Sequence, residues 1–134
     1  MNELILIAVG GIGALSTFIV SHDLKQGAVR ASAGLSLLVG LVFYLFPHLA
    51  PNPLSIEIPL VFFGASFAGM TGSHLVPQKL LILLGGVLFA GVYLAAETVF
   101  NGYGGKLGTA ACISSLILVG ISLILQKRSP INEE

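Results

Sequence analysis

Five apolar runs, broken by short polar stretches, set the pattern of this chain: roughly residues 4–20, 28–46, 59–76, 80–98 and 107–125. Each is long enough to cross a hydrocarbon core of about 30 Å at a helical rise of about 1.5 Å per residue. The pattern therefore predicts an all-α integral membrane protein of five transmembrane helices in one domain, followed by a polar tail over 129–134. The polar breaks carry stop signals. Pro47, Pro51 and Pro53 end the second run, and Pro77 with Lys79 separates the third from the fourth, because proline removes a backbone donor and cannot continue a helix. Glu3 is the only charged side chain before the first run. A secretory signal needs a basic leader, so this run reads as a retained span.

Composition agrees with the pattern and closes off other classes. The 134 residues are 55% hydrophobic and 9% charged, with a mean hydropathy of +0.98, too few ionic groups to cover a soluble globule. Six basic and six acidic side chains cancel, so nothing points to a nucleic-acid partner. The one cysteine, Cys112, rules out an internal disulfide framework. The expected partners are the bilayer and either further copies of the chain or other membrane subunits. No cofactor and no metal are expected.

Glycine sharpens the picture. Seventeen glycines suit close helix packing, since a missing side chain lets backbones approach. On the central run, Ala65, Gly69 and Gly72 fall near one face, and on the fourth run Gly86 and Ala90 form a second small patch. These five are the expected helix-packing positions. A shift of 76 positions lays Leu4 on Leu80, Gly10 on Gly86, Ala14 on Ala90 and Arg30 on Lys106. Spans one and two then correspond to spans four and five. With one span between them the pairs have opposite orientation, the inverted-repeat arrangement of many transporters.

Charge orients the chain. With the N-terminus outside, the cytoplasmic segments hold Lys25, Arg30, Lys79, Lys127 and Arg128, against Lys106 alone outside, which is the expected bias for a plasma or inner membrane. The C-terminus is then cytoplasmic.

Candidate chemistry is sparse. Glu97 and Lys106 flank the turn between spans four and five, with Tyr93 on the same end; Glu97 is either a solvated helix end or, paired with Lys106 across the turn, an outer gate. Gly102, Gly104, Gly105 and Gly108 surround Lys106, so backbone amides there can attract an anion, but no Lys-Ser or Lys-Thr ending completes a phosphate loop. Ser66 and Thr71 are polar positions on the central run that either bond between helices or line a hydrophilic path. Arg30, in the first turn of span two, reads as a snorkelling anchor or a path residue. His22, Asp23 and His74 fall on the cytoplasmic side, close enough in topology to gather. No HExxH, GxSxG, CxxC or intramembrane aspartate pair occurs, so no catalytic residue is expected and the chain does not read as an enzyme. Two functions remain: a small oligomeric transporter or channel for an ion or polar solute, or a non-transporting helix-packing subunit of a larger membrane complex.

Overall fold

A computed structural model describes residues 2–99 and 105–128. Among these the chain forms five α-helices: α1 Asn2–His22, α2 Ala28–Leu45, α3 Leu54–Gly69, α4 Lys79–Ala95 and α5 Gly105–Arg128, with a 3₁₀ turn at Pro47–Leu49. By length and composition α1, α2 and α5 can each cross a membrane; α3 and α4 are apolar but shorter, at 16 and 17 residues. The expectation of five equivalent spans is therefore met in part. Three helices carry the membrane signal outright.

The central helix is displaced from its expected bounds of 59–76. Pro59 lies inside α3 instead of opening it. It lacks the N–H that would bond the Ser55 carbonyl, a cost the helix accepts one turn from its start. Glu57 then falls in the first turn, where its charge complements the positive end of the helix dipole. At the other end the helix stops at Gly69. The Thr71 hydroxyl donates to the Ala68 carbonyl at 2.8 Å, satisfying one of the acceptors the last turn leaves open. Gly72 is consequently not on the packing face of α3. It lies in the following turn, where a Cβ would come within 2.5 Å of the His74 ring.

Helices α1, α3 and α4 all touch one another, α2 packs on α1 and α3, and α5 packs on α4 and α3. This set of pairings is unchanged when α1 and α2 are exchanged with α4 and α5. The same exchange holds at the crossing of α1 and α4, which run antiparallel. A Cβ on Gly10 would sit 2.6 Å from the Gly86 carbonyl oxygen and 3.0 Å from the Ala90 methyl. One on Gly86 would strike the Gly10 carbonyl and sit 2.8 Å from the Ala14 methyl. Only glycine permits this backbone-to-backbone approach.

Two buried clusters fill the bundle. Toward the end where α2 and α4 finish, called here the prolyl end, Leu6, Val61, Ala65, Phe89, Ala90 and Ala110 pack together. Toward the opposite end, called the latch end, Ala14, Phe18, Ala68, Ile82 and Leu118 do so. Gly64 makes room for the Phe89 ring, and Gly69 for the Ala14 carbonyl. Ala65 and Ala90 are fully buried.

Candidate functional site

Polar groups are concentrated in three places. At the latch end the segment between α3 and α4 is fastened from both sides. Backbone N–H of Ser73 donates to His22 Nε2 at 3.2 Å, and His22 Nδ1 lies 3.1 Å from the Phe18 carbonyl. Because that carbonyl only accepts, Nδ1 carries the proton and His22 is the neutral tautomer. Lys79 pairs with Asp23 at 2.6 Å. From the other side Ser122 Oγ and Gln126 Nε2 both donate to the Leu75 carbonyl, at 2.6 Å and 3.1 Å. His22 and Asp23 thus act in the latch, while no three His, Cys, Asp or Glu side chains gather among the described residues. His22, Asp23 and His74 do not gather into such a group.

At the prolyl end Glu97 and Lys106 do not pair. Lys106, half-buried in the first turn of α5, sets its Nζ 3.9 Å from the centroid of the Tyr93 ring. The buried aromatic face offers a cation–π contact, whereas Glu97 lies exposed in the turn after α4. Among the described residues the only ion pair is Asp23–Lys79. Of the glycine-rich turn, residues 102 and 104 lie outside the described residues. Gly105 and Gly108 belong to α5.

The third place is the seam between α2 and α3. Ser32, Ser36 and Gly40 recur at fours along α2, which puts them on one face. Ser66 Oγ donates to the Phe63 carbonyl at 2.6 Å, so its oxygen receives the Ser32 hydroxyl proton at 2.7 Å. Both residues are buried. One turn on, the Ser36 hydroxyl oxygen is shielded from solvent with no partner, as is that of the fully buried Thr17 on α1. From Gly40 onward a groove of about 390 Å³ lies beside α2, lined by Gly40, Phe43, Tyr44, Asn52, Ser55 and Pro59 among others. Among the described residues no charged side chain lines it. A second, apolar groove of about 280 Å³ lies between α3 and α5 beside Phe67, Gly108 and Cys112. Arg30 is exposed in the first turn of α2, at the latch end.

Sequence reasoning singled out Tyr93, Lys106 and Ser66, but missed the roles of Ser122 and Gln126. Their spacing of four was visible. Their acceptor is a main-chain carbonyl, which has no sequence signature. No family model matches this chain, and no curated protein or solved structure matches it.

Proposed function

We propose that this chain is a small membrane transporter or channel that passes an ion or polar solute, its hairpins α1–α2 and α4–α5 forming an inverted repeat about α3. The observation that carries the reading is the α1–α4 crossing. The residues that meet there, Gly10 with Gly86 flanked by Ala14 and Ala90, are those aligned by the 76-residue shift, and such repeats build alternating-access proteins. All five helices then cross the bilayer, the two short ones aided by the turns that extend them. The prolyl end faces outward, because Lys25, Arg30, Lys79, Lys127 and Arg128 belong to the latch end and Lys106 alone to the other.

In this reading Lys106 on Tyr93 closes the outer end with Glu97 at its mouth, and the fastened 70–78 segment closes the inner one. Ser32 and Ser66 supply polar groups between. The chain works as a homo-oligomer, since five short helices enclose little space alone. The test is flux through liposomes containing the purified protein: ions or polar solutes should cross, and Lys106→Gln should change the rate. A reporter active only in the cytoplasm should work after Glu134 and fail within residues 50–54. Activity at the second position contradicts the orientation.

A second reading has its own observation. Gly34, Gly40, Gly91, Gly108 and Gly120 meet no other group within 4 Å, so small residues lie open for helices of another protein, as in a packing subunit. Impermeable vesicles together with stoichiometric co-purification of another membrane protein would select it.

A further inference from the structure

The transport reading leaves open what is carried and where it rests. The seam between α2 and α3 answers both. Helix α2 is tied to the bundle near the latch end, where Ala31 and Ser32 are its only buried residues. Toward the prolyl end the 390 Å³ groove lies between it, the 47–53 segment and α3. A space of that size takes a small molecule.

The groove offers hydrogen-bonding capacity that the protein does not itself use. Pro59 has no N–H to give to the Ser55 carbonyl, so the helical ladder leaves that acceptor open. The Ser55 hydroxyl donates to Asn52 Oδ1 at 2.8 Å, which leaves the Asn52 amide N–H groups without a bond among the described residues. One turn past Gly40, about 6 Å deeper at helical rise, lies the partnerless Ser36 hydroxyl, halfway along α2. The Ser36 oxygen is closed off even from water and does not line the groove, so the groove ends above it. One further turn brings the Ser32–Ser66 pair, whose hydroxyls satisfy each other and close the seam.

We propose that the groove between α2 and α3, which ends above Ser36 and the Ser32–Ser66 bond, binds a small neutral solute bearing both hydrogen-bond donors and acceptors, of the polyol or simple amide class. The site rests on the transport reading for its purpose. Charge selects against ions: no Asp, Glu, Lys or Arg among the described residues lines the groove, and an ion there would lose its hydration without a counter-charge. Donors and acceptors are both present, in the Asn52 amide and the Ser55 carbonyl. The flanking rings of Phe43 and Tyr44 supply apolar walls against which the carbon skeleton of such a solute packs.

Thiol chemistry tests the site without requiring flux. In a Cys112→Ser background, Gly40→Cys sets a thiol in the groove, where an added Cβ meets nothing within 4 Å, and Leu41→Cys, at a position 51% exposed at the same depth of α2, is its control. The probe is a small neutral water-soluble maleimide, which reacts with the thiolate and therefore only where water reaches. Gly40→Cys should label at least about tenfold faster than Leu41→Cys, and molar glycerol should slow it severalfold while molar sodium chloride does not. Equal labelling at the two positions, or labelling at Gly40→Cys by a lipid-soluble reagent alone, overturns the site. Protection by salt and not by glycerol overturns the neutral class. Labelled, glycerol-protected protein in vesicles that carry nothing would remove the transport reading and leave the site standing. Flux of polyols with Gly40→Cys inert would do the reverse.

Discussion

Helices α1, α3 and α4 and the flanking pair α2 and α5 are made of the same residues and are held in opposite ways. In α1, 44% of the most apolar 18-residue stretch is buried inside the protein, against 28% in α5 and 11% in α2. The difference is clearest at glycine. Gly10, Gly69 and Gly86 lie where another backbone leaves no room for a methyl group, while Gly34, Gly108 and Gly120 face nothing within 4 Å. A glycine in a membrane helix thus carries no fixed meaning. What it does depends on whether its face meets a neighbour, and here the close backbone contacts lie among the three inner helices while α2 and α5 flank them.

The comparison breaks most readily at the crossing. Gly86→Leu forces α1 and α4 apart against the Gly10 carbonyl, and should cost about 3 kcal/mol or more, at the upper end of overpacking effects. Thermal unfolding in detergent should show it as a large fall in Tm. Gly69→Leu should follow closely, through Ala14 and Thr17. An unchanged Tm for either would place those faces against lipid.

Smaller effects come from the polar contacts that tie the flanking helices. Ser66→Ala leaves Ser32 without its acceptor and should cost about 1 kcal/mol, the usual scale for hydrogen bonds between membrane helices. It should loosen α2 more than α5, readable as faster hydrogen exchange confined to α2. Lys106→Met removes the cation from the Tyr93 face and should cost about 0.5–1 kcal/mol, with the local effect on α5. Smallest of all is Gly34→Ala. With open space around it and helix propensity in favour of alanine, it should be neutral or stabilising by up to about 1 kcal/mol. A destabilisation there would reveal a contact that only an assembled oligomer makes.

The helical elements were legible because apolar runs and prolines mark them directly. Helices α1, α2 and α5 begin and end within a few residues of their expected bounds. Helix α3 was misplaced because Glu57 and Pro59 look like a boundary, yet a first-turn carboxylate and an early proline are both compatible with a helix already under way. The same misplacement carried Gly72 onto a face that the Thr71 cap ends before it. Pairings across the bundle were not legible. Ser32 and Ser66 are far apart in sequence, and nothing in either run says which faces meet. A pair of Lys106 with the nearest carboxylate was one of two readings, but the rigid helix start brings Lys106 over Tyr93 before Glu97, which follows α4 into the exposed turn.

The central claim is that this chain, unaided, moves a solute across a bilayer. Stopped-flow light scattering of liposomes containing only the purified protein, challenged with an inward glycerol gradient, measures that most directly. The account predicts that the vesicles re-swell faster than protein-free liposomes, and that Gly40→Leu, which projects into the open groove, abolishes the difference while leaving Tm unchanged. Re-swelling no faster than in protein-free liposomes, across glycerol, urea and a panel of ions, with the protein correctly inserted, would contradict it.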